Sequence, residues 1–267
     1  MLQLFETPLN VGTGRNRDAS DNIITTITDN NYETSTAETT IKHHIDAMGD
    51  GSGAARAFTH IFVKSANVAT HSISVTGGNG QANPASTTIP TTVTDDSGNS
   101  VPITIDGKQN HLYKMPVSGI TPATAQTLTI TFTASDSNPL AIYQLLVLNE
   151  HLNIDDYRTA GLTQDEDNLI PSGRTERLPA ENVFVHALGK PRDKRSKAYT
   201  ARGRRNSTFI HDLETFYAKH KNFTIAAEYN RFPNLVYRAT WEGELAIRWI
   251  SPSKVVGRTA SFRILER

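Results

Sequence analysis

The chain contains no cysteine, which excludes disulfide bonds, thiolate metal sites and a cysteine nucleophile. It has no run of the roughly 18 apolar residues that a membrane-spanning helix needs, so no membrane contact is expected. Residues 1–6 have neither a basic nor an apolar segment of the secretory kind, so no signal peptide is expected. The hydrophobic content of 37% and charged content of 20% are those of a folded globular protein.

Catalytic signatures are also missing. The sequence contains no Gly-x-Ser-x-Gly elbow, no His-Glu-x-x-His motif and no paired carboxylates in a supporting context. Residues 77–80 are glycine-rich but lack the Lys-Ser/Thr and the helix that follow a phosphate-binding loop, so they are interpreted as a hairpin loop. The sequence therefore predicts a protein that is not an enzyme and that uses no cofactor.

The formal net charge of zero conceals two halves of opposite charge. Residues 1–150 hold 7 Lys/Arg and 13 Asp/Glu, a net of −6, whereas residues 151–267 hold 20 and 14, a net of +6. A chain of this length can bury two cores of ordinary size. We therefore predict one domain at 1–150 and a second at 183–267, joined by a polar connector at 151–182.

Short apolar segments with strand periodicity dominate the first half. Ile41, His43 and Ile45 alternate with polar residues, as do residues 71–75 and 128–132. The nearly continuous apolar run at 58–63 is typical of a strand buried on both faces, and the run at 140–148 is predicted to be the last strand of this set. Because Gly, Asn, Pro and Ser turns separate these segments, we predict an N-terminal β-sandwich of the jelly-roll type.

The second half combines one amphipathic helix with several strands. Apolar residues at helical spacing predict a helix that begins after an N-cap at Asn206 or Ser207. Alternating strands follow within residues 223–249, and residues 258–265 are predicted to form the closing edge strand. The predicted fold is mainly β: an N-terminal β-sandwich (jelly roll) plus a C-terminal α+β domain with one helix on an antiparallel sheet.

Five segments of the first half carry a family resemblance: residues 29–35, 45–49 (Ile-Asp-Ala-Met-Gly), 58–67, 72–75 and 142–150. In this order they resemble the galactose-binding-like (discoidin, coagulation-factor type C) jelly rolls. The resemblance implies a β-sandwich in a family that includes sugar binders. The loops lack the aromatic triad and the Arg/Asp sugar clamp of that family, so the resemblance predicts the fold rather than sugar binding.

A second resemblance rests on residues 216–223, on the turn at 230–234, on 235–243 (Leu-Val-Tyr-Arg-Ala-Thr-Trp-Glu-Gly) and on 260–266. This order resembles the ring-forming domain of distal-tail and minor tail proteins of long-tailed bacteriophages. The resemblance implies oligomerisation around the tail axis, with the appended β-sandwich facing outward.

The strongest charge signal lies at residues 190–205. Nucleic-acid contact is one interpretation of such a stretch, but only Tyr199 interleaves as an aromatic residue and the chain as a whole is neutral. We therefore favour a loop that binds an acidic partner surface, such as the acidic half of a neighbouring subunit. The predicted partner-binding residues are Lys190, Arg192, Lys194, Arg195, Lys197, Arg202, Arg204 and Arg205.

Two sets of candidate metal ligands occur in the first half. His43 and His44 are adjacent, so on a strand they point to opposite faces and do not share a metal ion. Asp46 and Asp50 lie in a Gly-rich turn, where they would offer oxygen ligands to calcium, although their spacing is not that of an EF-hand. The favoured interpretation is a solvated turn without metal, with calcium as the alternative.

The leading functional hypothesis is a structural virion protein of a phage tail tip or baseplate, made in the bacterial cytoplasm and incorporated into the virion tail. Its expected partners are further copies of itself in a ring, other tail or baseplate proteins, and host-surface glycans at the sandwich; no nucleic acid is expected. The alternatives are a monomeric carbohydrate-binding adhesin and a glycan-active enzyme.

Overall fold

The structure is a computed structural model. It describes residues 2–29, 34–79, 87–95, 97–114, 123–154, 159–170, 173–177, 183–187, 194–204, 208–233, 235–249 and 256–266. For residues 159–195, and at residues 87, 204 and 256, this description covers the backbone alone.

The described residues form many strands and one α-helix, so the predicted mainly-β fold is confirmed. The helix α1 is Phe209–Lys219, and a 3-10 helix is Thr26–Thr28. The strands are β1 (Leu2–Phe5), β2 (Asn16–Arg17), β3 (Thr40–His44), β4 (Arg56–Phe58), β5 (His60–Ser65), β6 (Val68–Thr76), β7 (Thr87–Thr88), β8 (Thr92–Thr94), β9 (Ser100–Pro102), β10 (Thr104–Ile105), β11 (Lys108–Lys114), β12 (Ala123–Ala125), β13 (Thr127–Ala134), β14 (Ile142–Leu148), β15 (Glu150–Asn153), β16 (Thr159–Ile170), β17 (Gly173–Arg177), β18 (Val183–Ala187), β19 (Lys194–Arg204), β20 (Asn222–Ala227), β21 (Val236–Trp241), β22 (Ala246–Trp249) and β23 (Val256–Glu266).

The chain divides into two compact units. The first unit comprises Met1–Asn153 and Phe223–Arg238, and the second comprises Ile154–Asn222 and Ala239–Arg267. The boundaries predicted from the sequence, at 1–150, 151–182 and 183–267, remain a prediction about domains. The division by contacts differs from them because it groups residues 223–238 with the first half of the chain.

The first unit contains a β-sandwich. Its two antiparallel sheets have the orders β2-β3-β13-β6-β7 and β10-β11-β5-β14. Ile41 and Ile130 of the five-stranded sheet belong to one buried cluster with Val63, Leu145 and Val147 of the four-stranded sheet. The alternating segments of the sequence therefore supply the inner faces of the two sheets.

The four-stranded sheet is buried on both faces, as its continuous apolar runs predict. Phe62, Leu146 and Leu148 lie in a second buried cluster together with Phe5 and Val236. This cluster uses β1, which pairs antiparallel with β15 and β20. Residues 223–238 thus belong to the first unit because they help to cover the outer face of its four-stranded sheet.

The second unit contains an antiparallel sheet with β23 and β19 at its centre. β23 pairs with β19 on one side and with β22 on the other, and β19 also pairs with β16. Residues 239–241 of β21 pair with the end of β23. The hairpin of β17 and β18 is inserted in the sequence between β16 and β19. The prediction of β23 as the closing edge strand is wrong, because it is paired on both sides.

Two further local predictions need correction. The segment 151–182 was predicted as a polar connector, but it holds most of β15 together with β16 and β17. The N-cap of α1 is Thr208 rather than Asn206 or Ser207, which lie outside the described residues. The Thr208 hydroxyl donates to the Asp212 carboxylate at 2.9 Å. In the described part of the chain, no helix is long and apolar enough to cross a membrane.

Candidate assembly surface

The strand β19 carries most of the predicted partner-binding residues, and its register with β23 defines two faces. Tyr199 lies opposite Phe262, and Thr200 lies opposite Ser261. Antiparallel partners project to the same face and successive residues alternate. One face is therefore formed by Tyr199, by every second residue of β19 counted from it, and by their partners in β23; we call it the helix face. The other face is formed in the same way from Thr200, and we call it the open face.

The helix face is covered by α1 and is mainly apolar, although it also contains the buried Lys197. Tyr199 and Phe262 are buried and stack with their ring centroids 5.5 Å apart. The helix approaches most closely at Gly203, where a Cβ atom would lie 2.7 Å from Cγ1 of Ile210. Glycine at this position therefore allows the buried side of the helix to rest on the sheet. The buried helix residues are Phe209, Ile210, Leu213 and Phe216.

The open face is polar and carries arginines from three strands. Arg202, Thr259 and Arg248 form one row across β19, β23 and β22. Since neighbouring strands lie about 4.8 Å apart, the two arginine backbones are separated by about 10 Å. In the next row the Thr200 and Ser261 hydroxyls lie 3.1 Å apart. Arg202 and Arg248 are exposed, and among the residues whose side chains are described neither forms an ion pair.

The structure separates the predicted basic residues into distinct environments. Arg202 lies exposed on the open face, whereas Lys197 is only 1% exposed and offers no surface to a partner. Lys194, Arg195 and Arg204 occupy strand positions whose side chains are outside the described set, and Lys190, Arg192 and Arg205 are outside the described residues altogether. The interpretation of this stretch as a loop is wrong for residues 194–204, which form β19 and lie between β16 and β23 over residues 196–203.

Sequence reasoning missed the arginines that come from the other strands. Arg248 and Arg263 share the open face with Arg202 because of the strand register. Their signal was present in the alternation of residues 246–249 and 260–265, which places each arginine on the polar side of its strand. What the sequence could not supply is the pairing that brings the three strands together.

An exposed tryptophan marks the end of β22. The side chain of Trp249 is 72% exposed. The Arg258 guanidinium lies 3.9 Å from the centroid of its ring, which is the geometry of a cation–π contact. The alternation of Leu245, Ile247 and Trp249 in the sequence predicts a core position for Trp249, and the exposure of its side chain shows that this prediction is wrong. Trp241 fits the prediction better, since its ring contacts Phe262 and Phe216.

Two strands in the sheet of the second unit are paired on one side only. β16 pairs only with β19, and β22 pairs only with β23, among the strands that the structure describes. Outer edges of this kind leave a row of backbone N–H and C=O groups available to another chain. The candidate surface therefore combines an exposed arginine row with two unpaired strand edges.

The turn that follows β3 contains the two candidate calcium ligands, Asp46 and Asp50. The buried Asp46 carboxylate accepts four backbone N–H groups, from Met48, Gly49, Gly51 and Gly53, at 2.8–3.1 Å. These donors occupy the lone pairs that calcium would need. Burial raises the pKa of Asp46, but the amide donors outweigh that effect and the net pKa lies below its usual value. Asp50 instead accepts from the amide and hydroxyl of Ser52. The turn is therefore built around a carboxylate rather than a cation.

The first unit also buries four histidines, at positions 43, 60, 71 and 111. Burial lowers the pKa of His43 to about 3 and those of His60, His71 and His111 to about 4. His43 is held by Asn16, with 2.7 Å between Nδ1 and Oδ1. His44 lies on the other face against Thr127, so the prediction that the two adjacent histidines point to opposite faces is confirmed.

His71 and His111 contact each other through rings 6.1 Å apart. Their Nδ1 atoms are buried and have no hydrogen-bond partner among the described atoms. Protonating either ring would place a charge in this apolar setting, so both stay neutral in the folded sandwich.

The chain was compared with known proteins, and no family, no curated protein and no solved structure matches it. The functional argument therefore rests on the residues and the geometry of the chain itself.

Proposed function

We propose that this protein is a structural subunit that assembles into a ring through its second unit and carries the β-sandwich of its first unit as a displayed module. The observation that carries this proposal is that β16 and β22 are each paired on one side only, among the strands that the structure describes. The unpaired side of a strand favours pairing with another chain. A contact between two different edges is heterologous, and such contacts generate rings when the rotation closes.

The exposed arginine row supports the same proposal. Arg202 and Arg248 are fixed on a sheet rather than on a loop, so they present their charge in a defined geometry. The first half of the sequence carries a net charge of −6. Opposite potentials steer association and select orientation, which suits an assembly built from many copies of one chain.

The tail tip or baseplate of a long-tailed bacteriophage is the setting that this proposal favours. It is supported by the resemblance of residues 216–266 to ring-forming tail domains, and by a mainly-β fold with one helix on an antiparallel sheet. In such a ring several copies of the β-sandwich would lie side by side. Multivalency then strengthens a weak contact with a host-surface glycan without any new interaction.

The mass of the full-length protein in solution tests this proposal. Sedimentation velocity and light scattering over a range of micromolar concentrations should show one closed species containing a fixed number of chains. A ring stops growing when it closes, so the mass should reach a plateau. A protein that stays monomeric throughout, and that is missing from purified phage particles by mass spectrometry, would contradict the proposal and favour the monomeric adhesin.

A further inference from the structure

The two edges of the second-unit sheet run in opposite directions. β22 is antiparallel to β23, β23 to β19, and β19 to β16. Across these four strands the direction alternates, so the first and the last strand are antiparallel to each other. If copies are related by a rotation that preserves the strand direction, β16 of one copy meets β22 of the next as an antiparallel pair. Antiparallel pairing continues the hydrogen-bond pattern already present in the sheet.

The sequences of the two edges carry opposite charges. Thr159–Ile170 contains three consecutive acidic residues, Asp165, Glu166 and Asp167, and no lysine or arginine. Ala246–Trp249 contains Arg248 and no acidic residue. Like charges on facing strands are destabilising, whereas opposite charges stabilise a strand pair. This difference disfavours contact between two β16 edges and favours contact between β16 and β22.

Trp249 gives the basic edge an apolar anchor. Its side chain is 72% exposed, and the contact with Arg258 holds the ring in a defined orientation. Large aromatic residues dominate the energy of protein interfaces when a partner covers them. An exposed, oriented tryptophan beside an unpaired strand edge is therefore what an interface between chains requires.

We propose that the partner of β22 is the β16 strand of a second copy of this chain, paired antiparallel, with Arg248 facing the acidic stretch 165–167 and Trp249 covered by the contact. This inference rests on the proposed function, since it names the contact through which the ring forms. It requires a head-to-tail arrangement in which every copy contributes its β16 edge to one neighbour and its β22 edge to the other.

Charge reversal on the two edges tests the contact. Arg248→Glu makes both edges acidic, and the joint change Asp165→Lys, Glu166→Lys and Asp167→Lys makes both edges basic. Each variant alone should associate at least about tenfold more weakly than the natural protein, because it opposes like charges at every contact. An equimolar mixture should regain assembly, because each variant then offers the edge that the other lacks. The two variants must alternate, so the mixture forms closed rings only with an even number of chains and open chains otherwise. Sedimentation velocity measures all three samples.

Two control variants separate this contact from general effects of substitution. Arg231→Glu reverses an exposed charge in the first unit, and Met48→Ala removes a side chain that is 75% exposed. Both should assemble like the natural protein, whereas Trp249→Ala should weaken assembly. Circular dichroism shows whether each variant is folded. If a charge-reversal variant is not folded, the test rests on comparing the assembly of Trp249→Ala with that of Met48→Ala.

The outcomes distinguish this inference from the proposed function. If the natural protein forms closed rings but the reversal variants assemble equally well, or their mixture does not regain assembly, the proposed contact is wrong. The proposed ring would then still stand. A natural protein that is monomeric at every concentration would overturn both.

Discussion

The two units differ in how completely their sheets are covered. In the first unit the four-stranded sheet is buried on both faces, by the five-stranded sheet and by the cluster around Phe5. In the second unit one helix covers one face of the sheet, while the other face presents arginines and hydroxyls to solvent. Both units contain strands that are paired on one side only. They differ in that the first unit covers both faces of its four-stranded sheet, whereas the second leaves one face of its sheet exposed to solvent.

This difference gives the two units different sensitivities. The first unit depends on buried polar groups that must stay in one ionisation state, such as Asp46 and the four buried histidines. The second unit also buries charged residues, Lys197 and Glu266, and it depends on apolar contact between α1 and the sheet. Protonation of buried histidines should therefore act on the first unit, whereas changes of concentration should act on the second.

Acid should produce the largest effect, and it should act on the first unit. Burial lowers the pKa of its four buried histidines to about 3 to 4 in the folded protein, against an ordinary histidine pKa of 6.5. The unfolded chain therefore binds more protons below pH 6.5, and stability falls as the pH drops from 6.5 towards about 4. At one pH unit below 6.5, the four histidines together lower the free energy of unfolding by on the order of 5 kcal/mol. Urea unfolding at several pH values measures this slope.

The positions of the tryptophans provide an internal control for the acid experiment. Both tryptophans, Trp241 and Trp249, lie in the second unit. Tryptophan fluorescence should therefore keep its native signal at a pH where hydrogen exchange already shows opening of the sandwich strands. The substitution His71→Phe should reduce the pH slope. Simultaneous acid transitions in both units, or a slope unchanged by His71→Phe, would remove this distinction between them.

Removing the Asp46 carboxylate should be the next largest effect. Asp46→Ala leaves four backbone N–H groups without their acceptor, and a loss of about 3 kcal/mol is expected from that number of broken hydrogen bonds. Thermal or urea unfolding of the variant measures the loss. Asp50→Ala in the same turn is the matched control and should cost much less, because Asp50 bonds only to Ser52. Equal losses would show that the turn does not depend on the buried carboxylate.

A smaller effect is expected where the helix meets the sheet of the second unit. Gly203→Ala places a Cβ atom 2.7 Å from Ile210, and overpacking of this kind costs about 1–2 kcal/mol. Tryptophan fluorescence during unfolding should report the loss. Thr200→Ala, on the open face of the same strand, should change stability by less than about 0.5 kcal/mol. If the two substitutions behaved alike, the assignment of a covered and an uncovered face would fail.

Local patterns in the sequence were sufficient to predict the elements in which burial follows from the periodicity of a single strand or helix. The alternation of Ile41, His43 and Ile45, the apolar run at 58–63 and the spacing of Phe209, Leu213 and Phe216 all correspond to buried positions. The helix was therefore predictable except for its cap, and so was the sandwich.

The remaining features depend on pairing between distant segments, which periodicity does not encode. The polar sequence of β16 resembles a connector, because the acidic stretch 165–167 interrupts any alternation. The position of β23 between β19 and β22 follows from partners far away in the chain. The open face likewise joins Arg202 to Arg248 and Arg263 only through the register of three strands.

Hydrogen–deuterium exchange of the full-length protein as a function of its concentration tests most directly whether the second unit completes its sheet by association. The amides of Thr159–Ile170 and Ala246–Trp249 should become more protected as concentration rises, while those of β5 and β14 in the first unit should not change. Protection of β16 and β22 that is the same at every concentration, or a rise in protection confined to the first unit, would contradict this account.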